Sequence, residues 1–448
     1  MPMNLRQMVG GMVAVALTVA TASAQTTRRV PQDVATIQAA LTASANGDRV
    51  LVSPGTYPEH LDFQGKDVSL ESSGGAAVTT IQPVGGTVVT VGPGGAVVGF
   101  TIAGGSGSFG AGLTVSGSGT RIAMNVFQDN QAPMGSAGAA IYGNGASPLI
   151  ERNHFRRNTC DTQYLAGVVA FANMSSPTIA SNLFEDNTCQ AVNLVLPDGA
   201  GPRVVNNTFV ANRTAIRLYR TVPLATQVYR NNLIAGNTTG VEAAFGTDAD
   251  NPVWQNNLVF GNGANYTGLA NQTGTQGNLS ASPLFRNQAG GDYRLAAGSP
   301  AIDAGTSLGA PATDFDGVTR PLDGSGDGTA TVDIGAFEAP TAATREVIVG
   351  PPAGIYFQTQ RVDLTLSVQD AARATAASVR LDGQDVTGPF FACAVFGRSA
   401  ANTTLRCPGV PVAILATGVH TWTVRIDYND GTSVTQTLQW TVRAATEP

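Results

Sequence analysis

A frame of the form Asn-x-apolar-x-x-Asn recurs six times in the middle of this chain. It begins at Asn125 (NVFQDN), Asn153 (NHFRRN), Asn182 (NLFEDN), Asn207 (NTFVAN), Asn232 (NLIAGN) and Asn257 (NLVFGN), in steps of 28, 29, 25, 25 and 25 residues. The register persists upstream. Three residues before each first Asn stand Ile122, Ile150, Ile179, Val204, Tyr229 and Trp254, and five before stand Thr120, Pro148, Pro177, Pro202, Gln227 and Pro252. A period of this length, built from short alternating runs and not from helical spacing, is one coil of a solenoid per repeat. Leucine-rich repeats share the length but need Leu columns, and Leu is not the repeated residue. Asn with β-branched and aromatic residues fits a parallel β-helix, in which each coil lays its strands about 4.8 Å from those of the next. The apolar columns then stack inside, and Asn at each bend bridges backbone groups of neighbouring coils. The Asn columns are therefore bends and not chemistry.

Cys160 and Cys189 each follow the closing Asn of a frame by two residues, so they occupy one position on adjacent coils. Stacked strands hold such Cα atoms roughly 5 Å apart, within disulfide range, and the pair is expected to staple two coils. Composition suits many short strands joined by tight turns: Gly numbers 53, charged residues make up only 12%, and Lys66 is the sole lysine. A net charge of -6 argues against a nucleic-acid partner, which needs a basic face. Residues 1–24 read as a secretory signal, with Arg6, an apolar run from Met8 to Ala20, and Ala22-Ser23-Ala24 before Gln25. The run is shorter than the roughly 20 residues a membrane span needs. The expectation is an exported protein, secreted or at the cell surface and not membrane-spanning, in a compartment where its four Cys can oxidise.

The flanks of the repeat carry a resemblance. VATIQAALTASANGDRVLVSPGTYPEHLDFQGKDVSLES, residues 34–72, resembles the N-terminal cap of the pectate-lyase-like right-handed β-helix superfamily, where a short amphipathic helix covers the open end. SPLFRNQAGGDYRLAAGSPAIDAGT (282–306) and DFDGVTRPLDGSGDGTATVDIGAFE (314–338) resemble the tail of bacterial secreted or surface β-helix proteins. The resemblance covers about Val30 to Glu338 and implies an all-β fold: a right-handed single-stranded parallel β-helix over 25–340 with an N-terminal helical cap. It implies no single activity, because the superfamily holds lyases, hydrolases, epimerases, phage tailspikes and non-catalytic adhesins.

Past Glu338 the period stops. APTAATRE reads as a linker, and RVDLTLSV, ASVRLDGQ, HTWTVRIDY and VTQTLQWTV are alternating runs, with turn residues such as Asn429-Asp430-Gly431 between them. They predict a small β-sandwich over 341–448, similar to bacterial immunoglobulin-like modules. Cys393 and Cys407 enclose a short loop and are expected to pair, and Trp422 and Trp440 read as core.

Within the resembled superfamily, polygalacturonase-type hydrolases use Asp pairs with a Gly-His-Gly segment, and mannuronan epimerases use Asp-Pro-His-Asp. None of His60, His154 and His420 has either context. Uronate lyases need a group that neutralises a carboxylate, often Ca²⁺, and a base, often Arg or Lys. Lys66, in FQGKDVSL, reads as scaffold. Stacking the frames places Arg157 between Asp129 and Asp186, with Glu185 beside Arg156. An Arg between two carboxylates lowers their pKa values, against the raised value a general acid needs, so this set reads as a surface ion-pair ladder. A second outward column holds Arg217, Tyr219 and Glu242, and such a mixture on a flat sheet face can hold a sugar chain. Arg156, Arg157, Arg217, Tyr219 and Glu242 are thus the candidate polysaccharide-binding residues. Asp314, Asp316, Asp323, Asp327 and Asp333, interspersed with Gly, are candidate Ca²⁺ ligands, although no Glu closes an EF-hand loop. The leading expectation is a non-catalytic protein that binds polysaccharide or a cell-surface glycan along its sheet. The alternative is a uronate-directed, calcium-dependent polysaccharide lyase.

Overall fold

The computed structural model describes residues 25–444 except 161–165, 197–199, 220–225, 246, 248–250, 341–346, 351–353, 358–359, 370–373, 394, 399–401, 413–414 and 429–432. The expected signal segment lies outside the described residues.

Between Thr27 and Thr267 the chain winds through three parallel sheets in turn. Sheet A has ten strands, from Thr27–Val30 to Val253–Gln255. Sheet B has nine, from Gly55–Tyr57 to Leu258–Phe260, and sheet C has nine, from Leu61–Asp62 to Ala264–Thr267. One coil runs Thr178–Ala180 (A), Leu183–Glu185 (B) and Gln190–Val195 (C). Strand pairing follows the repeat read from the sequence, with Ile150, Ile179 and Val204 in one column and Phe127, Phe155, Phe184 and Phe209 in another. Both columns point inward and are fully buried. The four Phe rings stack at 5.1, 4.6 and 4.7 Å, each pair 12° from parallel. Phe184→Ala removes two of these stacks and opens a cavity that the rigid coils cannot close. It is expected to lower stability by about 3–5 kcal/mol, read as a lower urea midpoint.

The two Asn of each frame build the corners. The residue before the first Asn takes left-handed backbone, as at Arg152, Ser181, Asn206 and Asn231, and so does the residue before the second, as at Asp129, Arg157 and Asp186. The Asn side chain then turns inward and ties three coils. Asn182 Oδ1 accepts from the backbone N–H (2.8 Å) and Nδ2 (3.0 Å) of Asn153, and its own Nδ2 donates to Ile150 O, Ala180 O and Asn207 Oδ1. Repetition gives two continuous ladders, one from Asn125 to Asn278 and one from Asn130 to Asn265. Each buried amide thereby meets its hydrogen-bonding capacity without water.

The N-terminal end is closed by the helix Ile37–Ala43, which turns Ile37, Ala40 and Leu41 inward. Lys66 Nζ donates to Leu41 O (3.1 Å) and Thr42 O (2.7 Å), so the lone lysine finishes this helix, in keeping with its scaffold reading. Cys160 and Cys189 form the expected disulfide, with Cα atoms 5.6 Å apart.

The segment from 283 to 339 does not coil. From Ala304 to Phe315 it runs back along the outside of the solenoid toward its N-terminal end, tied to A–B corners, and Asp333 then returns to the corner at Asn206. Asn256 Nδ2 donates to Ala304 O, Asn231 Nδ2 to Thr306 O, Asn206 Nδ2 to Asp333 O, Ser181 Oγ to Thr313 O and Arg152 Nε to Phe315 O. Its apolar side chains cover the outer face of sheet B: Leu295, Ala301 and Ile334 pack on Leu233 and Leu258, while Tyr293, Ala336 and Phe337 pack on Leu183 and Val210. Inside the segment, Arg320 Nη1 meets Glu338 Oε2 at 2.6 Å with both side chains buried.

Residues from Val347 to Arg443 form a unit with its own core. A four-stranded antiparallel sheet (Val347–Gly350, Arg361–Gln369, Asn402–Pro411, Val395–Arg398) and a largely antiparallel five-stranded sheet share Leu366, Val379, Phe390, Trp422, Val424 and Ile426. Trp422 and Trp440 stack at 5.8 Å in this core, as the sequence suggested. Cys407 is disulfide-bonded, and the side chain of Cys393, its expected partner, is outside those described.

Candidate functional site

The lengths of the connections single out one face. Every A–B corner from Met124 onward is two residues long, whereas the long connections all adjoin sheet C. Residues 104–112, 129–140 and 157–168 lead into it in earlier coils, and 196–202, 220–227 and 245–252 leave it in later ones. Strand register sets an outward column across this sheet: Tyr142, Ala170, Asn193, Arg217, Glu242 and Thr267. The alternate residues Val192, Ile216 and Val241 are buried in the solenoid core, which fixes the column as the outer one.

Arg217 stands at the centre. Its Nε lies 3.4 Å from Glu242 Oε1, and its guanidinium carbon sits 5.0 Å over the Tyr219 ring. On the preceding strand, Asn193 is almost fully buried and donates through Nδ2 to Ala166 O (3.0 Å). Among the described residues Asn193 Oδ1 has no hydrogen-bond partner, and neither has Arg217 Nε, whose contact with Glu242 is too poorly aligned to be one. An acceptor and a donor thus stand unmatched on adjacent strands. Aromatic rings flank them on this face: Phe109, 46% exposed, packs on Tyr142 at 5.1 Å, and Phe245, 59% exposed, lies 6.2 Å from Tyr219.

The structure corrects the sequence reading in three places. First, Tyr219 is only 2% exposed, because it ends its strand where Arg217 and Phe245 pack on it; only Arg217 and Glu242 of that trio are partly open. Second, Arg156 and Arg157 do not share a face with Arg217. They belong to sheet B and the corner after it, whereas Arg217 and Glu242 belong to sheet C, so the five candidates do not line one groove. Arg157 pairs with Asp129 through Nε (3.0 Å) and Nη2 (3.1 Å). That hydrogen bond, with the charges of Asp129, Asp186 and Glu185, raises the Arg157 pKa, as an ion-pair ladder would. Arg156 donates twice to Gln128 Oε1 and not to Glu185. Glu185 is held by His154 Nε2 (2.8 Å) and Tyr293 OH (2.9 Å), and the His154 hydrogen bond above all keeps its carboxyl below the ordinary range.

Third, the five aspartates do not converge. Asp314 accepts from the N–H groups of Val318 and Glu338, and Asp333 from those of Asp303 and Ala339. Asp323 gathers three turn N–H groups at Gly326, Asp327 and Gly328, Asp327 accepts from Thr329, and Asp316 pairs with Arg294. Among the described residues no group of three or more His, Cys, Asp or Glu is placed to hold a metal ion. An Asp-Gly turn and an Asp-rich cation loop share a sequence signature because each sets a carboxylate beside a tight backbone.

Residues 96–259 match the family model of the right handed beta helix region. Similar solved structures include a pectin methylesterase in complex with a hexasaccharide, 12% identical over 60% of this chain and 95% of that one, with a TM-score of 0.29. Another is SGBP-B of a Bacteroides ovatus mixed-linkage glucan utilization locus, in complex with a heptasaccharide. It is 20% identical over 24% of this chain and 32% of that one, with a TM-score of 0.12. No curated protein matches the chain. The coiled region is a right-handed parallel β-helix.

Proposed function

We propose that the β-helix binds a polysaccharide laid across the strands of sheet C, without cleaving it. The observation that carries this reading is the unmatched pair on adjacent strands, Asn193 Oδ1 and Arg217 Nε. A buried polar atom left unpaired costs about 1–3 kcal/mol. A hydroxyl is the one common group that accepts from the guanidinium and donates to the amide oxygen at once. A sugar hydroxyl would fill this place once Arg217, held to Glu242 only by the 3.4 Å contact, swings aside to admit it. The Arg217–Glu242 pair adds further donors and acceptors, and Phe109, Tyr142 and Phe245 offer ring faces to the apolar sides of sugars. From Tyr142 to Glu242 the outward column takes four strand steps, about 19 Å, a length that suits an oligosaccharide better than a single sugar. The signal-like leader at 1–24 and the Cys160–Cys189 bond support an exported protein and an extracellular or cell-surface glycan.

The test is affinity electrophoresis of the full chain through gels holding neutral or acidic polysaccharides, with absorbance near 235 nm followed in parallel solutions. At least one polysaccharide should retard the protein. Arg217→Met and Tyr142→Ala should each weaken that retardation tenfold or more without lowering Tm. Variants that bind as tightly as the native chain would remove sheet C as the site. Rising absorbance would show β-elimination and replace binding by lyase activity.

A further inference from the structure

The outer face of sheet A carries a recurring diagonal. Arg49 holds the first outward position of its strand and pairs with Glu71, at the third position of the next coil's strand. Arg121 pairs with Glu151 in the same way. The diagonal occurs again between Arg203 and Arg230: register sets Arg203 opposite Val228 and Val205 opposite Arg230, and the intervening Val204 and Tyr229 point into the core. Here the position that holds Glu in the other two pairs holds a second Arg. Both guanidinium groups meet the same dipeptide of the returning segment. Arg230 Nη1 donates to Leu308 O (3.3 Å), and Arg203 Nη2 lies so close to Gly309 that a Cβ there would collide with it.

A guanidinium has five N–H donors. Arg230 uses one on Gln255 Oε1 (2.7 Å) and one on Leu308 O, and neither Arg203 nor Arg230 has a carboxylate partner among the described residues. Burial, and then the charge of Arg203, holds the Arg230 guanidinium below its ordinary pKa. Two half-buried cations repel each other at a place where the same geometry is elsewhere closed by a carboxylate.

We propose that Arg203 and Arg230, beneath Leu308–Gly309, form a binding site for an oxyanion with two free oxygens. This is the chemistry of a carboxylate or sulfate ester on an acidic polysaccharide, and equally of a free inorganic anion. Two guanidinium forks can each give such an anion a pair of hydrogen bonds. The site lies on a different face from sheet C and does not rest on the binding proposed there.

Calorimetric and thermal-shift titrations of the full chain with sodium sulfate and sodium galacturonate, against sodium chloride at matched ionic strength, test it. Sulfate or galacturonate should bind and raise Tm beyond chloride, and Arg203→Gln should weaken that binding tenfold or more. Arg203→Glu puts a carboxylate on the diagonal from Arg230, the chain's own ion pair with its two members exchanged, so it should bind no anion yet be at least as stable as the native protein. An Arg needed only for packing would instead make that variant less stable. Retention on polygalacturonate gels with no response to sulfate assigns the site to a polysaccharide, and a response to sulfate alone assigns it to a free anion. No anion-specific effect in the native chain, or an undiminished one in Arg203→Glu, overturns the proposal.

Discussion

Asn207→Asp should unfold the β-helix under conditions in which the native chain is stable. Asn207 is fully buried, and its Nδ2 donates to Ile179 O, Val205 O and Asn232 Oδ1 while its Oδ1 receives two donors from Asn182. The substitution changes a single amide nitrogen to oxygen. That oxygen faces three acceptors it cannot satisfy and brings a charge into a site without a cation. With about 1–3 kcal/mol for each unmet partner, plus the burial of charge, the loss should exceed about 4 kcal/mol. Asn207→Ala, which leaves partners unmet but adds no charge, should cost less. Near pH 4 the introduced carboxyl takes a proton and can donate once, so part of the deficit should return. Urea unfolding followed by circular dichroism, at neutral and acid pH, reads all three outcomes. If Asn207→Asp were tolerated within about 1 kcal/mol, the ladder would not be what holds the corners.

Arg320→Met should have the second large effect. Arg320 answers the Glu338 carboxylate at 2.6 Å and donates to Asp333 O and Gly335 O, while the charges of Asp314 and Asp333 also act on it. Without it the buried carboxyl groups lose their cation, a change that typically costs about 3–5 kcal/mol. The pH dependence has a definite sign. Burial first, and then the Glu338 charge, pushes the Asp333 carboxyl from 3.8 up to about 7, and burial also raises Glu338. Between those two values the folded state keeps a proton that the unfolded chain has released. The contribution of Asp333 to stability is therefore greatest at acid pH and declines as pH rises toward 7. Removing Arg320 raises both carboxyls further, so the deficit of the variant should be larger near pH 8 than near pH 5. Thermal unfolding at the two pH values checks this, and equal deficits would mean the carboxyls are not coupled to Arg320.

The coil was legible because each sequence column is one position of the repeat, so pairing and inward direction follow from the period alone. The angle between consecutive runs was not. It is set by one residue of left-handed backbone before each Asn, and Arg157, Ser181, Asp186 and Ala211 all fill that place without a glycine to mark it. Frame residues such as Arg156 and post-frame residues such as Arg217 could thus be aligned along the solenoid axis but not assigned to faces. The segment from 283 to 339 was harder still. It lies across the coils and has no period, so the bond between Glu185 and Tyr293, 108 residues apart, leaves no trace in spacing. The sheet A diagonals were within reach, because Arg49, Glu71, Arg121, Glu151, Arg203 and Arg230 follow from register once strand starts are known.

The returning segment also works as a measuring tape. Its ties to Asn256, Asn231, Asn206, Ser181 and Arg152 fall on five successive coils, with Ala304, Thr306, Thr313 and Phe315 in coil order and Asp333 coming back to the coil of Asn206. A whole coil gained or lost between Arg152 and Asn256 would put every mark beyond it out of step, even though the ladders themselves would accept the change. Upstream of Arg152 no such tie is found among the described residues. Growth or shortening of this solenoid by whole coils is therefore easiest on its N-terminal side, where Phe109 and Tyr142 lie and where a longer face of sheet C would reach a longer chain.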